Sequence, residues 1–207
     1  MRLGLLGPAE GNVDGLGRAA ELLVDILKVE RAVYLGNDGA LDEVVAAWAA
    51  RLVDSDPSDD AAWSRAARIA LRGSPEEIDA FVLKERARQR LRVLEGLSRG
   101  GDARTIEMIG DRVAVLLYDK GDLDEEDIFA ATLLVYGKSP EPLVKKVGTR
   151  WFMTPGVIGC AGGGIGLLDD GGEEIVASIH ALDGSRTLTE TIAVARAAKM
   201  KIQGGTA

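Results

Sequence analysis

A chain of 207 residues, 46% of them apolar and with mean hydropathy close to zero, is long enough to bury a core as a single domain without disulfides or metal. Its formal charge of −8 opposes nonspecific binding to nucleic acid or anionic lipid, and no apolar run reaches the length of a membrane span. One cysteine, Cys160, excludes an intrachain disulfide; with no cleavage motif near Arg2, a reducing, cytoplasmic location is expected.

In chain order, Met1 to Gly7 reads as an apolar strand running into a turn, Pro8-Ala9-Glu10-Gly11-Asn12. Leu16, Ala19, Ala20, Leu23 and Leu27 then recur at helical spacing, predicting a helix over 13–28 with Asp14 as its cap. A second apolar strand, 31–35, ends in Gly36-Asn37-Asp38-Gly39, so a strand–helix–strand unit carries turn residues at both strand ends. Residues 41–52 predict a second helix with Val44, Val45, Trp48 and Leu52 inward. After the acidic break at 54–60, Asp59 or Asp60 is the expected cap of a third helix, closed by Gly73. Ser74-Pro75-Glu76-Glu77 is a strong start signal for a fourth, predicted to reach about Leu97. Residues 54–98 thus read as a helical insertion. Its basic run, Lys84 to Arg92, is a solvated helix face or, alternatively, a docking surface for an acidic partner.

From residue 103 the pattern changes to strands. Residues 105–109 and 112–117 flank the two-residue turn Gly110-Asp111. A short helix is predicted near 125–130 and a buried strand at 132–136. Hairpins follow at 143–153, around Gly148-Thr149, and at 165–182, across Asp169 to Gly172, with a glycine-rich loop at 156–164 between them. Threonines at 187, 189 and 191 favour a last strand over a helix in 187–197, and 198–207 is expected to fray. The simplest architecture is one α/β domain over 1–207 with one sheet or two facing sheets.

The order of these loops resembles the calcineurin-like metallophosphoesterase superfamily, in its small bacterial and archaeal phosphodiesterase branch, over residues 1–50 and 103–185. Where that family has Asp-x-His-Gly-Asn after the first strand, this chain has Pro8, Glu10 and Asn12 in the frame. Where the second strand ends Leu-Gly-Asp, Asn37 replaces the acid and Asp38 follows. Tyr118-Asp119 stands at a metal-ligand histidine. Val135-Tyr136-Gly137-Lys138-Ser139-Pro140 keeps the frame of Tyr-Gly-His-Thr-His, with Lys138 and Pro140 in place of its histidines, and Thr154-Pro155-Gly156 matches a later turn. The Gly-Asn-His loop has no counterpart.

The resemblance implies a two-sheet sandwich flanked by helices, and a eukaryotic member of the family works as a coat-complex scaffold. A dinuclear phosphoesterase holds two metals about 3.5–4 Å apart and lowers the pKa of a bridging water. Proline supplies no ligand, an amide no bridging anion, and a lysine must first lose its proton. The expectation is a relict pocket (Pro8, Glu10, Asn12, Asn37, Asp38, Tyr118, Asp119, Lys138, Pro140, Thr154) with no catalytic residue, metal or cofactor. The expected function is a scaffold in protein–protein interaction or self-association. A weak phosphodiesterase, or a phosphate or nucleotide binder using Lys138, Asn37 and Asn12, is the alternative. Glu10, Asp38, Asp119 and Glu141 remain as acids at the rim. The glycine cluster 159–164 lacks the Gly-Lys-Ser/Thr of a phosphate loop and reads as a loop crossing. Cys160 has no base near it in sequence, and the sole histidine, His180, is expected to be structural. Trp63, Phe81, Leu91 and Leu94 are the candidate interface anchors.

Overall fold

The computed structural model describes residues 1–97, 104–172 and 174–193. β1 (Arg2–Leu6) leads through a turn in which Glu10 and Gly11 take positive φ, 47° and 87°. That turn puts Asn12, not Asp14, at the cap of α1 (Val13–Glu21): its Oδ1 accepts from the Gly15 N–H at 3.0 Å. The helix widens into a π turn over Leu22–Ile26, where the Leu27 N–H reaches back to the Leu22 carbonyl at 2.9 Å, and Lys28 at φ 52° ends it. β2 (Arg31–Tyr34) and α2 (Ala40–Val53) follow; Leu41, Val44, Ala49 and Val53 are the buried face of α2, with Val45 and Trp48 half-buried beside it.

α3 (Asp59–Arg72) is capped by the Ser58 hydroxyl, which accepts from the Ala61 N–H at 3.2 Å, so the expected aspartate caps fall inside the first turn. α4 (Pro75–Arg90) starts as its sequence signals, with a reciprocal Ser74–Glu77 box and proline in the first turn. It stops seven residues short of Leu97. A 3-10 turn over Leu91–Val93 leads into β3 (Leu94–Gly96), which pairs in parallel with β2, Ala32 against Leu94 and Tyr34 against Gly96. The open edge of β2 offers backbone partners there, and Gly96 is a poor helix former.

The second half follows the expected order. β4 (Arg104–Ile109) and β5 (Arg112–Leu117) form the hairpin with Gly110 at φ 59°. α5 (Glu125–Ala130) is held by a reciprocal Asp124–Asp127 capping box. β6 (Leu133–Tyr136), β7 (Leu143–Val147), β8 (Arg150–Thr154), β9 (Ile165–Asp169), β10 (Glu174–His180) and β11 (Arg186–Ala193) complete it. The predicted extension of the last strand to residue 197 and the predicted fraying of 198–207 lie outside the described residues.

The strands make a six-stranded sheet, ordered β11-β10-β9-β1-β2-β3, and a five-stranded sheet, ordered β4-β5-β6-β8-β7. Period-two alternation sends Leu3, Leu5, Val33 and Leu35 into the space between the sheets, against Leu116, Val135 and Met153 of the second. The other face of β1 and β2 presents Leu6 and Tyr34 to Leu16, Leu23 and Leu41 of the helices. Gly4 admits that layer closely, since a Cβ there would stand 2.8 Å from a Leu23 methyl. The two-sheet sandwich with flanking helices is therefore the architecture formed.

α3 and α4 lie outside these layers, and α3 has no buried residue. The cations of the basic run of 84–92 are exposed except for Arg88, and most of them are paired. Arg88, 9% exposed, is bonded to Glu85, Asp59 and the Pro57 carbonyl; Arg90 reaches the Val24 carbonyl at 2.7 Å, Arg92 pairs with Asp59, and Lys84 with Asp54. These cations tie the helical section together and fasten it to the body. Among the described residues no helix is long and apolar enough to cross a membrane.

Candidate functional site at the strand ends

β1 and β2 run parallel in one sheet, and β5, β6 and β8 run parallel in the other. Their carboxyl ends deliver the loops 7–12, 35–39, 118–122, 137–142 and 154–158 to one place, where open α/β sheets put their sites. Glycines let these loops meet backbone on backbone. A Cβ at Gly7 would fall 1.8 Å from the Gly156 carbonyl oxygen, and one at Gly137 would fall 2.1 Å from the Leu35 oxygen. The Gly7 N–H donates to Gly164 at 2.9 Å, the Ile158 N–H to Pro8 at 2.9 Å, and the Lys138 N–H to Tyr118 at 2.7 Å. The loops of both sheets are thereby locked into one rim.

The side chains predicted to share this rim divide into two kinds. Pro8 and Thr154 are buried; the Thr154 hydroxyl accepts from the Gly156 N–H at 3.2 Å, a turn-holding role. Glu10, Asn37, Lys138, Pro140 and Glu141 are exposed. Asn12 is held structurally, capping α1 and donating from Nδ2 to the Ile158 carbonyl at 3.3 Å. Asp38 accepts from the Tyr34 hydroxyl at 2.8 Å and from the Ala40 N–H at 3.1 Å. Asp119 accepts from the Gly121 N–H at 2.9 Å and forms an ion pair with Lys138. That pair holds the Asp119 carboxyl below the usual carboxylate range and the Lys138 ammonium above its ordinary value, so both stay charged.

Tyr34 was readable in the sequence only as the end of a buried strand, yet its hydroxyl lies at the centre of the rim. It accepts from the Ala9 N–H at 2.9 Å while donating to Asp38. Burial first, then the hydrogen bond to Asp38 and its charge, push the phenol well above its ordinary pKa against the opposing Ala9 N–H. It is a fixed neutral bridge between the first and second strand ends.

The pair of metal ions that this kind of site implies needs several nitrogen and oxygen ligands around each cation. Pro8 and Pro140 contribute none, Asn37 is neutral, Asp119 is paired with the Lys138 ammonium, and Asp38 accepts its two hydrogen bonds through Oδ1 alone. Among the described residues no group of three or more His, Cys, Asp or Glu is placed to hold a metal ion. The residues present do not fit the metal pair. Cys160 and His180 add no nucleophile–base couple: the Cys160 sulfur is wedged by Gly156 and Gly163, and burial raises its pKa. His180, 3% exposed, sits 3.1 Å from the Ser178 hydroxyl and 3.3 Å from the Gly184 carbonyl, a structural role.

Of the predicted interface residues, Trp63 on α3 is 76% exposed. Phe81 is half-buried between α3 and α4, and Leu91 half-buried beside Trp48 in a cleft of about 450 Å³ bordered by α1, α2 and α4. Leu94 is a correction. As the first residue of β3 it packs in the core at 6% exposure and cannot anchor a partner.

No family model matches the sequence, and no curated protein matches it. Solved structures do match in shape. A conserved uncharacterized protein of Streptococcus pneumoniae, a predicted phosphoesterase, shares 12% identity with a TM-score of 0.50, over 94% of this chain and 99% of that one. Yfce, a phosphoesterase from E. coli, shares 17% with a TM-score of 0.51, over 93% and 100%. Vacuolar protein sorting 29 from Cryptosporidium parvum shares 14% with a TM-score of 0.50, over 93% and 98%. Two mixed sheets with flanking helices, matched along nearly the whole of each of these chains, are a metallophosphoesterase-like α/β sandwich.

Proposed function

We propose that this protein is a non-catalytic metallophosphoesterase-like scaffold that acts through protein–protein contacts, with a cytoplasmic location. The observation that carries the reading is the fate of the rim acids. Asp38 is taken by Tyr34 and the Ala40 N–H, and Asp119 by Lys138 and the Gly121 N–H, while Pro8 and Asn37 stand where the frame calls for anionic ligands. The rim is thus built as a structural seam. An anion at Lys138 is disfavoured as well, because Asp119 already neutralises that ammonium.

Outside the rim, large apolar side chains stand in solvent on the helical section: Trp63 at 76%, Leu71 at 82% and Leu83 at 66% exposure. A protein partner seated on this lobe would cover them. The test is hydrolysis of a phosphodiester substrate with manganese, nickel or zinc added, alongside crystals soaked in manganese and phosphate. No turnover and no anomalous peak at the rim are expected. Turnover that is lost in a Glu10→Ala, Asp38→Ala variant, or two strong peaks between Glu10, Asp38 and Asp119, would overturn the reading.

A further inference from the structure

Two surface features far apart in the chain have complementary chemistry. The first is a groove of about 520 Å³ between α3 and α4 lined by the apolar Val53, Ile69 and Phe81 and by four cations, Arg65, Arg68, Arg72 and Lys84, against two acids, Glu77 and Glu85. Arg65 is tied to Glu85 at 2.7 Å. Arg68 and Arg72 make no ion pair among the described residues, one turn apart on the same helix, in a protein whose formal charge is −8. Nearly all the cations of the neighbouring basic run are paired, so two free guanidiniums beside an apolar lining are conspicuous. The spacing suits two carboxylates a residue or a turn apart, each taken by a planar fork of donors.

The second feature is α5. Phe129 is 87% exposed, more than any other large apolar side chain among the described residues, and Ile128 beside it is 39% exposed. One turn earlier stand Glu125 and Glu126, exposed and without an ion pair among the described residues. Their neighbours Asp124 and Asp127 are engaged within the fold by Arg104 and the capping box. The helix therefore shows outward an aromatic knob with two free carboxylates.

We infer that the α3–α4 groove binds α5 of a second copy of this chain, Phe129 entering against Phe81 and Ile69 while Glu125 and Glu126 meet Arg68 and Arg72. This rests on the scaffold reading and gives it a partner. Knob and groove lie on different surfaces, so the contact is heterologous: each copy offers one of each, and association continues until a ring closes or a chain of copies ends. The like charge of the two copies opposes it and the arginine–glutamate pairs favour it, and salt screens both, so the apolar seat of Phe129 carries the contact.

Sedimentation velocity across a concentration series tests this. The wild-type chain is expected to show species larger than a monomer, growing with concentration. Phe129→Ala alone and Arg68→Glu, Arg72→Glu together should each weaken association by about 30-fold or more, as loss of an anchor does. The decisive measurement mixes the two variants. The first keeps an intact groove and the second an intact knob, so together they should form a one-to-one complex that stops at the dimer. Circular dichroism of each variant checks that it folds. A wild type that stays monomeric, or variants that do not complement when mixed, overturns this inference. Either result leaves the scaffold reading standing so long as the phosphodiester assay stays silent, so the two failures are distinguishable.

Discussion

The closure of the rim predicts that Gly137→Ala is far more damaging than its chemistry suggests. Gly137 is absent from the residues with positive φ, so alanine meets no backbone strain there and the whole effect is steric. The added methyl would stand 2.1 Å from the Leu35 carbonyl oxygen and 2.9 Å from the Leu35 carbonyl carbon and Cβ. A carbon rests about 3.3 Å from a carbonyl oxygen at contact, so the β2 and β6 ends must part by about 1.2 Å. Leu35 and Gly137 are both buried, and Leu35 is pinned by its N–H to the Leu6 carbonyl at 2.8 Å. Neither side can swing away as a flexible side chain would. Overpacking in a close-packed interior costs about 1–3 kcal/mol, and backbone against backbone belongs at or above the upper end, so we expect a loss of about 3 kcal/mol. Urea unfolding followed by circular dichroism reads it. Gly148→Ala is the control: φ is 63° but nothing lies within 4 Å of its Cβ, so only the left-handed penalty of about 1–2 kcal/mol applies. A Gly137→Ala loss below about 1 kcal/mol would show that the two strand ends are not in contact and that the rim is no seam.

Tyr34→Phe should lower stability by about 1–3 kcal/mol, because the Ala9 N–H loses its acceptor in a buried place; denaturant midpoints of the variant and of Leu5→Ile as a core control separate the effect from general packing loss. Glu85→Gln should cost about 2 kcal/mol, since Glu85 joins Arg65 at 2.7 Å and Arg88 at 2.7 Å in a partly buried network where only Asp59, on Arg88, would remain as an anion, and melting temperature reads it. His180 is the only histidine, and burial lowers its pKa below the ordinary 6.5. The unfolded chain therefore takes up the proton first, so stability contributed by neutral His180 is full above about pH 6.5 and is lost as pH falls toward the folded value. Unfolding free energy should decline between pH 7 and pH 5, and His180→Asn should flatten that slope.

How much of this was legible before folding follows from the range of each interaction. α4 announced its start because Ser74, Pro75 and Glu77 act on one another within a single turn, and the hairpin at Gly110 announced itself for the same reason. The end of α4 did not, because what stops it is β2, sixty residues earlier, pairing with Leu94 to Gly96; three residues carry no alternation to read. The cap of α1 moved from Asp14 to Asn12 because of positive φ at Glu10 and Gly11, a conformation that Gly11 hints at and Glu10 does not. At the rim, the frame of glycines was readable in order, and so was the substitution of its ligand positions. What no local pattern showed is that the leftover acids have other work: Asp119 meets Lys138 from nineteen residues away, and Tyr34 crosses to Ala9 from twenty-five. That difference bears on function. Unused acids at converging strand ends would leave a cation site open to rescue by one or two substitutions. Asp119 is engaged through both oxygens, by the Gly121 N–H and by Lys138, and a cation would have to displace that ammonium, so restoring Asp at Asn37 alone should not produce manganese binding measurable by titration calorimetry. Binding in Asn37→Asp would mean that the internal bonds of Asp119 yield easily to a cation, and that the rim is a dormant site and not a seam.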